Sequence, residues 1–258
     1  MTRTLRKHLA GRSVGSERAF RWRGGEVSRL EGFTDAVFAF AVTLLVVSLE
    51  VPRTFTELSV AMRGFFAFAI CFALLFTIWY EHYIYSRRYG LDDTTVVWLN
   101  GALIFVVLFY VYPLKFVFTE LVSAVLHFPT GVRHPDGIFE PAIGPGDNER
   151  LLLIFGAGYV AVFAVFALLY LHAYRRRQDL GLSEIETFDT RSRLWAALLT
   201  GLVGVLSIAI TLIFGPKAAG WGGWIYFANG PIRTIHGFWF GRRRRALEAA
   251  EAAATPAA

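Results

Sequence analysis

Arg29-Leu30-Glu31-Gly32-Phe33-Thr34-Asp35-Ala36-Val37-Phe38-Ala39-Phe40-Ala41-Val42-Thr43-Leu44-Leu45 opens an apolar run over residues 30–49. A bilayer core of ~30 Å needs about 20 apolar residues in a helix. This stretch has that length, yet it carries Asp35 about one and a half turns inside Arg29. A carboxylate at membrane depth is costly and marks a functional position by default. The plainer reading is a carboxylate hydrated near the cytoplasmic interface. At about 100° per residue, and with Asp35 set at zero, Arg29, Phe33, Phe40, Leu44 and Val47 all fall at roughly 120–180°. Asp35 therefore faces away from a bulky apolar stripe. It needs polar partners inside the protein.

Outward from this helix, the composition agrees with a membrane chain. Of the 258 residues, 55% are hydrophobic and only 18% charged, against about 25% charged in average soluble domains. Five further blocks follow, at residues 62–85, 95–118, 151–174, 194–214 and, more weakly, 220–240. The last holds Asn229, Gly230, Pro231, Arg233 and His236 and reads as a short, interrupted or interfacial helix. Pro113 lies inside the third block. Residues 128–150, rich in Pro, Gly and Asp, read as a long loop. The expected fold is all-α, a polytopic membrane protein with six transmembrane helices over residues 26–241. A basic arm, 1–25, precedes it, and an Ala/Glu-rich tail, 242–258, follows.

Charge sets the orientation. The arm with Arg29, the pair Arg87 and Arg88, the group Arg175 to Arg177 with Arg191 and Arg193, and the run Arg242 to Arg245 hold most of the 26 basic residues. Six spans put all of these on one side. By the positive-inside rule both termini are then cytoplasmic and the protein is a multi-pass protein of the cell (plasma) membrane. The arm is expected to be flexible, to touch anionic lipid and to set topology, with no nucleic-acid partner. It has no apolar run of the kind a secretory signal needs.

Partners for Asp35 and Thr34 are available on the next two helices. Trp79 and His82, three residues apart, share one helix face. The Trp79 indole offers one N–H and His82 one or two. Asn100 begins the third helix at matching depth. Considered singly, Trp79 fits an interfacial belt and His82 an interfacial histidine; their joint depth points to a network. Enzyme chemistry is not indicated. No His, Cys, Asp or Glu group shows metal spacing, and neither H-E-x-x-H nor G-x-S-x-G occurs. His127 and His134 flank a loop, and Gly156-Ala157-Gly158 lies in an apolar helix without a later fingerprint glycine. Cys71 is a single cysteine within an apolar block, a small buried or lipid-facing residue. No metal and no cofactor are expected.

The motif Arg29-x-x-x-Phe33-Thr34-Asp35-Ala36-Val37 resembles the first-helix signature, Arg-x-x-x-Phe-Ser-Asp, of the endosomal/lysosomal potassium channel family (transmembrane protein 175) and its prokaryotic relatives. The continuation through Thr43-Leu44-Leu45 to Leu49-Glu50-Val51-Pro52 is similar too, as are Trp79-x-x-His82, Asn100 and Pro113. The resemblance covers residues 26–118; the last three helices match in number and hydropathy. It implies a potassium-preferring channel whose permeant species is the potassium ion. It implies a homotetramer in which the first helices line a central pore without a Thr-Val-Gly-Tyr-Gly filter. The constricting rings would fall on Phe40, Leu44 and Val47, and a hydroxyl serving cation preference on Thr43. Arg29, Phe33, Thr34 and Asp35 would bind the helix bundle together with Trp79, His82 and Asn100. Two departures stand out: Thr34 replaces serine, and Phe40 stands where isoleucine is usual at the narrowest ring. The alternative is a secondary or proton-coupled transporter with Asp35 and His82 as a titrating pair.

Overall fold

The computed structural model describes residues 20–47, 52–134, 136–144, 146–215 and 219–254. Among the described residues there are eight α-helices: α1 Arg29–Val47, α2 Phe55–Arg63, α3 Phe65–Tyr89, α4 Thr94–Leu126, α5 Asp147–Arg175, α6 Glu184–Phe214, α7 Ala219–Trp224 and α8 Asn229–Ala254. A 3-10 turn, Ile225–Ala228, joins α7 to α8. Among the described residues four helices, α3 to α6, are long and apolar enough to cross a membrane. At 33 residues, α4 is about 50 Å long, more than a bilayer core.

Local chemistry sets the boundaries. Gly90 ends α3 in the left-handed region, its N–H bonded to the Ser86 carbonyl, a conformation that glycine adopts without strain. Asp93 then caps α4 by accepting from the amides of Thr95 and Val96. Ser183 and Glu186 form a reciprocal capping box at the start of α6, which satisfies two amides that the first turn leaves without partners. Pro113 lies inside α4 without ending it.

Helix α1 packs on α3 and α4, α4 on α5, and α5 on α6, while α7 and α8 pack against α6 and α7 also reaches α5. Phe38, Ala41 and Leu45 join α1 to a core that includes Leu75, Leu103 and Val107. Small residues let helices approach closely. A Cβ at Gly156 would come within 2.7 Å of Ile208 on α6, and one at Gly158 would strike the Tyr110 ring of α4. That is the packing role of the Gly156-Ala157-Gly158 run.

Four features differ from the sequence expectation. The loop at 128–150 holds a small antiparallel hairpin, β1 Gly131–Arg133 with β2 Phe139–Pro141. The polar link after α1 holds the amphipathic α2, capped by Thr54. The weak sixth block is interrupted at the 3-10 turn, as expected, and what differs is the length of the helix that follows. Pro231 sits in the first turn of α8, where its missing N–H breaks no helical bond. That helix runs on through Arg242 to Arg245 to Ala254, because its Ala- and Glu-rich stretch favours helix. The arm, described from Phe20 onward, is anchored rather than free: Phe20 is buried and stacks edge-on against Tyr89. The cause is a set of directed bonds that composition does not show: Arg23 donates to the carbonyls of Leu180 and Gly181 and to Glu186.

Candidate functional site

One face of α1 is sealed and the other is open. Thr34, Ala41 and Leu45 are fully buried and Phe38 nearly so, whereas Phe33 is 59% and Phe40 56% exposed. Arg29, Thr43 and Val46 share the open side. Leu44 lies between the two, half-buried against the core. Val47 closes the helix, and its side chain falls outside the described residues. Large exposed apolar side chains in a helix at membrane depth must meet lipid, a second chain or a pore.

The sealed face is held by polar groups as well as by packing. The Trp79 indole donates to Asp35 Oδ1 at 2.8 Å. The ring that makes this bond is itself sandwiched, with Phe76 at 5.2 Å and Tyr83 at 5.7 Å between centroids. Four residues before Asp35, Glu31 faces Arg87 at 3.9 Å, and the Arg87 guanidinium lies over the Tyr83 ring. At the other end of α1, the Lys115 ammonium donates to the Leu45 carbonyl at 3.1 Å. That carbonyl lies in the last turn, where the helix dipole is negative and a cation is favoured.

His82 and Asn100 form a separate pair. Their Nε2 and Oδ1 atoms are 2.9 Å apart, the ring N–H donating, and both residues are buried. The Phe38 ring packs over His82 at 6.4 Å. Thr34 joins neither pair: its hydroxyl donates to Leu30 in its own helix, as buried threonines do when no other acceptor is in reach. The structure thus brings Asp35 to Trp79 and His82 to Asn100, and leaves Phe33 and Arg29 exposed. Glu31, Arg87 and Lys115 went unassigned in the sequence reading. The signal for Glu31 was its spacing: at i, i+4 it shares a helix face with Asp35.

A second polar cluster ties together the segment before α1, the α3–α4 turn and the α5–α6 turn. Glu186 accepts from Arg23 at 2.6 and 3.1 Å, from the Arg21 amide at 2.7 Å and from the Ser183 amide at 3.0 Å. The buried Arg88 guanidinium lies 4.4 Å from the Phe20 ring centre. Asp93, in the α3–α4 turn, takes His172 at 2.7 Å and Arg176 at 3.2 Å. Desolvation works to raise the Asp93 carboxyl, but hydrogen bonds from His172, Val96 and Thr95 outweigh it and hold the group below its ordinary range.

Known proteins place this arrangement. The family model for the endosomal/lysosomal potassium channel TMEM175 matches residues 29–110, from the start of α1 into α4. A potassium channel of Marivirga tractuosa is 40% identical over 243 residues, covering 91% of this chain and 96% of its own length. The chain belongs to the TMEM175 family. Its relatives here are prokaryotic, and the family is one of ion channels rather than enzymes. A crystal structure of a point variant of the potassium channel MtTMEM175, in complex with a nanobody–MBP fusion, matches with a TM-score of 0.75 and 38% identity. The match covers 89% of this chain and all of that one. The TMEM175 homologue of Chamaesiphon minutus, a lysosomal potassium-selective channel homologue, shares the fold at a TM-score of 0.50 and 19% identity, over 84% of this chain and 96% of its own. With four helices of spanning length and this family, the chain is a multi-pass membrane protein.

Proposed function

We propose that the chain forms a potassium-preferring cation channel, a homotetramer in the cell membrane with both termini cytoplasmic and α1 lining the pore. The observation that carries this reading is the open face of α1, in a family of potassium channels. Phe40 and Thr43 are exposed among the described residues, and pairing of four chains around α1 would cover them. Phe40, Leu44 and Val47 then form the constriction. Apolar rings gate by dewetting, because a narrow apolar passage empties of water. The Phe40 ring faces also attract a cation when the pore is open. Thr43 donates its hydroxyl proton to the Ala39 carbonyl at 3.0 Å, which leaves its oxygen lone pairs free for a passing ion. Leu44 leans into the core, so Phe40 carries most of the closure. No cofactor enters this scheme, and potassium is the permeant species.

The test is flux and single-channel recording of the purified protein in liposomes under opposed potassium and sodium gradients. Potassium-favouring current is expected. Phe40→Ala and Phe40→Asn are each expected to raise current or leak at least several-fold, and unchanged current in both removes Phe40 from the constriction. Asp35→Ala is expected to damage assembly more than permeation, since Asp35 is engaged by Trp79 on the side facing the bundle. The carrier alternative requires Asp35 and His82 to exchange protons. Each is held by a different partner, Trp79 and Asn100 respectively, which favours positioning roles for both.

A further inference from the structure

Between α3, α5, α6 and α8 lies a half-open cavity of about 230 Å³, whose polar lining is Glu81, Tyr170, Ser192, Arg193, Arg233 and His236. The acidic member is already satisfied. Tyr170 donates to Glu81 Oε1 at 2.7 Å, and Arg193 Nη1 reaches the two carboxylate oxygens at 3.1 and 2.9 Å. Arg233 has no such counter-charge among the described residues. Its Nε reaches the Thr200 hydroxyl at 3.4 Å and its guanidinium lies 6.0 Å from the Phe163 ring centre. His236 Nε2 is buried and makes no hydrogen bond. The cavity therefore offers a guanidinium fork, an open imidazole nitrogen and a serine hydroxyl, with its one carboxylate neutralised.

Depth identifies the ligand. Trp195 lies within one helical turn of Ser192, Trp239 within one turn of His236, and both tryptophans are about half exposed. Exposed tryptophans settle at headgroup level. Next to them Arg242 stacks on Phe238 and Arg243 on Trp239, a basic and aromatic border of the kind that marks the cytoplasmic interface. Ile235 and Phe238 are exposed on the same helix, where acyl chains would run.

We propose that this cavity binds the phosphate group of an anionic phospholipid. The phosphoryl oxygens accept from Arg233 and Ser192, and from His236 Nε2 once it carries a proton. Arginine suits this role because its fork matches the oxyanion geometry. Bound there, one headgroup would add a bridge between α6 and α8, which already meet through the Arg244–Asp189 ion pair at 3.2 Å and the ring contact of Phe188 with Phe240. The proposal is independent of conduction and holds whether or not α1 lines a pore.

The experiment is native mass spectrometry of the full-length detergent-solubilised protein with phosphatidylglycerol or phosphatidylcholine added, repeated with millimolar inorganic phosphate. Wild type is expected to retain phosphatidylglycerol in preference to phosphatidylcholine at one molecule per chain. Arg233→Gln with His236→Gln is expected to weaken that binding about tenfold or more, the loss of one to two charge-assisted bonds. Arg150→Gln, exposed at the start of α5, is expected to leave it unchanged. Displacement by inorganic phosphate supports a site that reads the phosphate group from either source, and resistance to it supports the lipid alone. Equal retention of the two lipids by wild type overturns the proposal, as does undiminished phosphatidylglycerol binding by the double variant. If size-exclusion chromatography shows that the double variant misfolds, Arg233→Lys is measured instead. It keeps the charge without the fork and is expected to bind at an intermediate level, and wild-type affinity in that variant counts against the site.

Discussion

The polar groups beneath α1 and those around Glu186 meet the same physical demand in opposite ways. Under α1 polar side chains meet in single pairs: Asp35 with Trp79, and His82 with Asn100. Around Glu186 one carboxylate gathers a guanidinium and two backbone amides from two separate stretches of chain. Single bonds orient a helix; a multiply bonded carboxylate welds segments together. The first arrangement suits a helix whose other face is left open. The second suits a scaffold, since it pins the segment entering α1 to the α5–α6 turn through Arg23 and the Leu180 and Gly181 carbonyls.

The sharpest way to break this contrast is Glu186→Ala. It leaves Arg23 without its carboxylate, with side-chain exposure of 15% and 4% in the pair, and removes half of the capping box. A loss of about 3 kcal/mol is expected, on the scale of breaking a largely buried ion pair. Faster hydrogen exchange over residues 20–25 should accompany it. A melting temperature within error of wild type, with protected amides, would remove the welding role.

A smaller effect is expected from Asn100→Leu. His82 then keeps a buried N–H with no acceptor, at a cost of about 1–3 kcal/mol. A double-mutant cycle with His82→Phe should recover part of it, because removing both partners leaves no orphaned group. Additive losses would show that the pair is not coupled.

The smallest effect is expected at Asp93. Its folded pKa lies below its unfolded one, so its contribution is fully present above the unfolded value and is lost as pH falls through the folded value. Thermal stability should therefore decline at pH below the ordinary aspartate range, and Asp93→Asn should flatten that part of the profile. An unchanged acid limb in Asp93→Asn would assign the decline to other carboxylates.

Much of the fold was legible before any coordinates. Apolar blocks of bilayer length gave the long helices, because burial in lipid demands length and composition together. Of the α1 stripe read from periodicity, Phe33 and Phe40 lie on the exposed side. The approach of Trp79 to Asp35 followed from depth matching. Depth matching could not separate one network of several residues from two pairs, since it fixes height along the membrane normal and leaves the direction of each side chain open. Leu44 shows the same limit: it shares the stripe by angle yet rests half-buried against the core. The anchored Phe20 segment, the polar trio of Glu81, Tyr170 and Arg193, and the cavity beside it escaped the sequence entirely. Their members are separated by up to 165 residues, as with the Arg21 amide and Glu186.

By itself the sequence determined that this chain is a mostly helical membrane protein with a charged residue in its first apolar helix and a family signature around it. Those properties reside in composition and in the 3.6-residue period, which are local. Only the tertiary structure decided which groups satisfy one another, because hydrogen bonds require atoms within about 3 Å, and distances between helices are set by packing rather than by spacing along the chain.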